Sequence, residues 1–150
     1  MQTLIEPNAW VLQRRVLPQH TDHAGVMWHG AYVAWLEEAR VEALVAAGLA
    51  YSALAARGLE LPVVALSIDY RQALRHGDSV RLASVVEARR GVRIPWRSWF
   101  LAPDGRVAAT AAVELVLVDG AAGLARRVCR GLPADLEVAL AALRRGPPAA

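Results

Sequence analysis

From Gly30 to Ala47 the chain runs without proline or an internal glycine, rich in Ala, Leu and Glu, and Gly48 follows as a stop. The run predicts a helix that opens near His29. Its polar residues, Glu37, Glu38, Arg40 and Glu42, gather toward the middle, while Ala31, Val33, Ala34, Trp35, Leu36, Ala39, Val41, Leu44 and Val45 cover most of the circumference. A helix apolar on so many sides is expected to be mostly buried. It needs something to wrap it, and that need limits the folds open to the chain more than any other feature.

The segments that follow can supply the wrapping. After a short helical stretch, Tyr51–Arg57, closed by Gly58, the period changes. Pro62–Tyr70, Asp78–Arg89, Val92–Leu101 and Arg106–Val118 are rich in Val, Leu, Ile and Trp and read as strands. They are bounded by His76-Gly77-Asp78, Gly91 and Pro103-Asp104-Gly105, the last a good hairpin turn. Four strands in succession with short links predict an antiparallel meander. Upstream, Trp10–Leu17 reads as a strand ended by Pro18, and residues 19–27 as a loop. Downstream, Pro133–Arg145 reads as an amphipathic helix with Leu136, Ala139, Leu140 and Leu143 on one face, and Gly146–Ala150 as a frayed tail. The sum is an α+β arrangement, a curved antiparallel sheet of about five strands round one long helix. A chain of 150 residues suits a single hydrophobic core, so one domain is expected over residues 1–150, with its core from about 9 to 145.

Composition narrows the classes of function. Hydrophobic residues make up 55% and charged residues 21%, which argues against a disordered chain. Five tryptophans are many for so small an interior; Trp10 and Trp35 are expected in the core, and others can line a pocket or an interface. All 17 basic residues are arginine, and guanidinium groups grip phosphate bidentately, so a phosphorylated ligand fits. The arginines are scattered in pairs without a basic stripe, which argues against nucleic acid. Cys129 is the sole cysteine, so neither an internal disulfide nor a CxxC metal site can form. Residues 1–8 lack the pattern of a signal peptide and no apolar stretch is long enough to span a bilayer, so no membrane insertion and a cytoplasmic address are expected.

Reactive polar residues concentrate in one segment, His20-Thr21-Asp22-His23-Ala24-Gly25-Val26-Met27-Trp28-His29-Gly30. Three readings of it are open. In the first, Asp22 is a nucleophile or general base, and the unpaired first-turn N–H groups near His29 receive an oxyanion, with Gly25 allowing a tight turn between them. In the second, His20, Asp22, His23 and His29 ligate a metal, although they lie in a loop and match no strong ligand pattern. In the third, Asp22 caps a turn and His29 caps the helix. No GxSxG elbow, GxGxxG or phosphate loop occurs, and no serine sits in a nucleophile motif. Carboxylate chemistry is what remains.

The run from Thr21 to Tyr32, continuing through Trp35-Leu36-Glu37-Glu38-Ala39-Arg40, resembles the 4-hydroxybenzoyl-CoA thioesterase family of hotdog proteins, and especially its Tol-Pal-associated acyl-CoA thioesterase branch. Weaker echoes follow in order: Ile68-Asp69-Tyr70-Arg71, Gly77-Asp78, residues 104–110, and Leu132-Pro133. The resemblance implies a hotdog enzyme that hydrolyses an acyl-CoA, with no bound cofactor and no metal. It implies Asp22 as the catalytic carboxylate, the His29 backbone N–H as oxyanion donor, and Gly25, Trp28 and Tyr32 at the substrate. It also implies Arg89 and Arg90 at the CoA phosphates, and a homo-oligomer, either a dimer or a dimer-based tetramer. Two departures stand out: many relatives carry an acidic residue in place of His20, and the 4-hydroxybenzoyl branch has an aromatic residue in place of His29 and a proline after the Asp. The same fold hosts enoyl-CoA hydratases and dehydratases, and a binding module for acyl-CoA or acyl carrier protein is a third possibility.

Overall fold

The long apolar run folds as helix α1 (His29–Ala46) in the computed structural model, which describes residues 5–120 and 126–148. Its end follows from the sequence. Gly48 adopts a left-handed φ of +95°, and the N–H groups of Gly48 and Leu49 donate to the carbonyls of Val45 and Leu44, both at 3.0 Å. Around α1 the remaining elements are β1 (Trp10–Arg15), a 3-10 turn (Pro18–His20), α2 (Tyr51–Ala56), β2 (Leu59–Glu60), β3 (Val63–Tyr70), β4 (Ser79–Val86), β5 (Ile94–Leu101), β6 (Val107–Leu115), β7 (Val118–Asp119), β8 (Arg127–Val128) and α3 (Ala134–Arg145).

A five-stranded antiparallel sheet, in the order β1-β4-β5-β6-β3, packs one face against α1 and α3. That is the α+β arrangement expected. The four-strand meander is corrected in one respect. Strands β4, β5 and β6 follow one another, but β3 lies at the far edge beside β6, because one side of β4 is taken by β1 through six residue pairs and the other by β5. Residues 71–78 therefore cross the end of the sheet. At the start of this crossover the N–H groups of Arg71 and Gln72 both donate to the Ala108 carbonyl, and at its end Val16 and Asp78 join it to β1. A small second sheet, β2-β7-β8, was not anticipated; two-residue strands leave no period to read.

The core lies between the sheet and the helices. Trp35 and Phe100 are among the largest fully buried side chains, and each is worth roughly 1.5–3 kcal/mol relative to exposure. On α1 the buried residues are Ala31, Tyr32, Trp35, Leu36, Ala39, Ala43 and Leu44, at helical spacing. The helix is less enclosed than expected: Val33 and Val45 on its other face are 42% and 53% exposed in the single chain, because the sheet covers one side only. Trp10 is half-buried rather than sealed in, its indole N–H donating to the Leu143 carbonyl at 2.8 Å. The strand expected to end at Leu17 stops at Arg15.

Helix α3 buries Leu136, Ala139, Leu140 and Leu143, the face expected. Asp135 and Glu137 sit in its first turn and Arg144 and Arg145 in its last, each matching the sign of the helix dipole. The expected frayed tail is corrected at Gly146, whose N–H donates to the Ala142 and Leu143 carbonyls and which abuts the Asn8 backbone; residues 149–150 lie outside the described residues. Among the described residues no helix is long and apolar enough to cross a membrane.

Candidate active site

Residues 20–28 fold back on themselves as a narrow loop. Thr21 bridges Met27, the Asp22 N–H donates to the Val26 carbonyl at 2.9 Å, and the Trp28 N–H donates to the His20 carbonyl at 3.1 Å. Gly25 makes the reversal with φ +77°, a conformation that side-chain-bearing residues adopt only at a cost. The crossover then holds the loop from outside. Met27 N–H donates to the Leu74 carbonyl at 2.8 Å, His76 N–H donates to the Gly25 carbonyl at 3.0 Å, and Val26 bridges Arg75.

Within this loop one carboxylate oxygen of Asp22 is occupied and the other is not. Oδ1 accepts the N–H groups of Ala24 at 2.9 Å and Val26 at 3.2 Å; Oδ2 has no partner among the described residues. Those backbone donors, Val26 first and Ala24 second, hold the exposed carboxyl below its ordinary 3.8, so it is ionised at neutral pH. The turn-capping role and an available charged oxygen thus coexist in one side chain.

Helix α1 begins beside this loop with its positive end uncapped. Trp28 is the N-cap in an extended conformation, makes no side-chain cap bond, and no acidic residue occupies the first turn. Among the described residues the N–H groups of His29 and Gly30 have no acceptor, while that of Ala31 donates to the Trp28 carbonyl at 2.9 Å. His29 is therefore the first helical residue and not the cap considered from sequence. Unpaired first-turn N–H groups on an uncompensated helix dipole suit developing negative charge.

The other residues singled out from the sequence fall in three places. Trp28 is 46% exposed, its indole edge-on to His29 with ring centres 5.2 Å apart. Tyr32 is buried, its ring edge-on to Tyr70 at 5.0 Å and Phe100 at 4.9 Å. Burial, then the neighbouring Tyr70, push its hydroxyl up to about 12 against a backbone hydrogen bond with Leu74, so it stays a neutral phenol tying α1 to the crossover. Arg89 and Arg90 lie past the far end of β4, whose 8 residues span about 26 Å. There Arg89 Nη2 donates to the Arg130 carbonyl at 2.9 Å and Arg90 stands 3.7 Å from Glu114. The single chain thus brings together Asp22, Gly25, Trp28 and His29, and keeps both arginines away from them.

His20 uses Nδ1 to accept the Leu17 N–H at 3.0 Å and sets its ring edge-on to Trp35. Among the described residues no three His, Cys, Asp or Glu side chains converge on a point that a metal ion could share. Sequence reasoning missed two contributors to the site. One is the crossover, Leu74 to His76, whose contact with the loop depends on strand order. The other is Gly30, whose signal is a glycine in the first turn of a helix that has no other.

A family profile described as the thioesterase-like superfamily matches residues 16–143. The Synechocystis sp. protein sll0410, named as an esterase, is 36% identical over 132 residues, covering 87% of this chain and 78% of its own. The acyl-CoA thioester hydrolase YbgC of Escherichia coli O157:H7 is 28% identical over 105 residues, or 70% of this chain and 78% of its own. In fold, the chain is similar to Slr0204, a 1,4-dihydroxy-2-naphthoyl-CoA thioesterase from Synechocystis, with a TM-score of 0.79 at 21% identity over 89% of this chain and 96% of the other. With the profile spanning four of the five strands of the main sheet, all of α1 and most of α3, the chain belongs to the thioesterase-like superfamily of hotdog proteins.

Proposed function

We propose that the protein hydrolyses an acyl-CoA, giving a carboxylic acid and CoA, with Asp22 as the catalytic carboxylate and the His29 backbone N–H as the oxyanion donor. One observation carries the reading: an ionised carboxylate with a free oxygen sits on a loop that leads straight into unpaired N–H groups at the start of α1. The thioester carbonyl oxygen, on becoming an oxyanion, accepts from the helix end, while Asp22 Oδ2 either attacks the carbonyl carbon, expelling CoA thiolate by breaking the C–S bond and leaving an anhydride that water then hydrolyses, or takes a proton from a water that attacks in its place and passes that proton to the departing thiolate. The lowered pKa keeps the carboxylate ionised, which both routes need. Trp28 and Gly25 shape the approach. Within the superfamily we read the chain as nearest the Tol-Pal-associated acyl-CoA thioesterase branch, on the Trp28-His29 pair and the Glu38-Ala39-Arg40 run, with a small aromatic or a short to medium aliphatic acyl group.

Arg89 and Arg90 bind the CoA phosphates in this reading, and since they lie a strand's length from the Asp22 loop, we place them on a second copy. Strand β3 is an open sheet edge on which Val63, Val64, Leu66 and Tyr70 are 42%, 46%, 42% and 52% exposed. Such an edge invites pairing with its own kind. Antiparallel pairing of two β3 edges about a two-fold axis reverses the ends of one copy against the other. The arginine end of one subunit then lies toward the Asp22 end of its partner, in a dimer or a dimer of dimers.

Asp22→Asn tests the chemistry. The amide oxygen can still accept from Ala24 and Val26, so the loop holds, but the charge is gone. The expected result is a fall in kcat of about 100- to 10,000-fold with the melting temperature nearly unchanged. Near-normal release of CoA thiol by the Asn variant would refute the mechanism.

A further inference from the structure

Gly30 is the single glycine of α1, and it is out of place by propensity: glycine is the poorest helix former after proline, and φ here is not left-handed. The reason lies in the side chain two residues earlier. A methyl group on Gly30 would stand 2.5 and 2.6 Å from Cζ2 and Cζ3 of the Trp28 indole, and closer still to Cη2. The ring therefore occupies the volume in which any other residue would carry its Cβ.

This placement does not serve the core. Trp28 keeps 46% of its surface exposed, and its ring also stands at a steep angle to that of His29, 69° between planes. Its backbone is fixed on both sides, by the N–H bond to the His20 carbonyl and by the carbonyl's bond from Ala31. A large flat ring is thus held against the first turn of α1, on the residue that follows Asp22's loop, with much of its surface open. Aromatic faces prefer to meet other flat groups, in offset or edge contact, over flexible chains of similar size.

We propose that Gly30 is a specificity-determining position: it seats the Trp28 indole as a flat wall of the acyl site, so that an aromatic acyl group is preferred over an aliphatic one of similar size. The inference rests on the thioesterase reading above and assigns it a selectivity that depends on two residues acting as a pair. Alanine at position 30 keeps the helix and removes the seat, which makes the pair separable from Asp22.

The test is a double-mutant cycle on Trp28→Ala and Gly30→Ala, read with benzoyl-CoA and hexanoyl-CoA and with thermal melting. Expected is a fall of roughly 2- to 12-fold in the benzoyl-to-hexanoyl ratio of kcat/KM for Gly30→Ala, a similar fall for Trp28→Ala, and no further fall in the double variant. The melting temperature should drop on Gly30→Ala when Trp28 is present and rise when it is absent, since alanine is then simply the better helix former. If the ratio is unchanged in both single variants, or if Gly30→Ala lowers it equally when Trp28→Ala is already in place, the inference is wrong while the hydrolase reading stands. If the wild type hydrolyses neither thioester although the melting cycle shows coupling, the hydrolase reading is wrong and the inference falls with it.

Discussion

Replacing Gly25 by alanine isolates a single physical term at the centre of the site. The backbone there has φ +77°, and a Cβ built on it would meet nothing within 4 Å. No steric repacking is needed, so the cost is that of holding an L-residue in the left-handed region, about 1–2 kcal/mol. For a domain of this size each kcal/mol lowers the melting temperature by roughly 2–4 °C, which predicts a fall of about 2–8 °C. Asparagine tolerates left-handed backbone better than alanine, so Gly25→Asn should recover much of the loss. A second effect follows from position. Gly25 lies between Ala24 and Val26, the two N–H donors to Asp22 Oδ1, and strain relieved by rotating either peptide lengthens one of those bonds. The Asp22 carboxyl should then titrate closer to its ordinary value, as followed by carbon-13 NMR of the carboxyl, and kcat should fall with little change in KM. A Gly25→Ala protein that melts with the wild type, or an asparagine variant less stable than the alanine one, would show that backbone conformation is not what glycine supplies here.

The folded pKa values of Asp22 and Asp135 are both lowered, the first by the Val26 and Ala24 N–H groups and the second by a hydrogen bond from Arg57. Protonation therefore favours the unfolded chain: their stabilisation is complete above about 3.8 and fades as pH falls through the lower folded values. The melting temperatures of wild type and Asp135→Asn should differ at neutral pH and converge in acid below 3.8, whereas a constant gap would rule out the Arg57–Asp135 pair as its source. On the open edge, Leu66→Arg should leave the single chain folded, because Leu66 is already 42% exposed, yet shift the mass measured by sedimentation equilibrium toward the monomer. An unchanged mass would put the subunit contact elsewhere.

What could be read from the sequence was local. Helix α1 and its stop are set by residues within a few positions of one another, and the hairpin at Pro103-Asp104-Gly105 closes on its own turn, with Gly105 at φ +84°. The loop around Asp22 was legible because chemistry-bearing residues crowd into it. What escaped depends on contacts across long stretches of chain. Strand β3 reads like its neighbours, and nothing within it says that β1 has already filled the slot beside β4. The apolar residues of α1 could not reveal that one face meets no sheet. Arg89 and Arg90 carry a phosphate-binding composition, but a linear sequence does not show that a whole strand separates them from Asp22. Gly30 looked like a helix boundary, and its partner is a ring whose direction only the folded chain fixes.

The crossover of residues 71–78 ties the start of β6, the Asp22 loop and the end of β1 to one another through Ala108, Leu74, His76, Gly77 and Val16. The loop's outer hydrogen bonds thus join residues about fifty positions apart, and contacts of that span close more slowly than those within a helix or a single hairpin. Helix formation alone does not build them, nor does collapse of the β4-β5-β6 hairpins. Hydrolytic activity is therefore tied to completed topology, and on refolding it should return after the helical signal has recovered. A chain with native secondary structure and β3 misplaced would hold the same residues without the crossover that braces their loop.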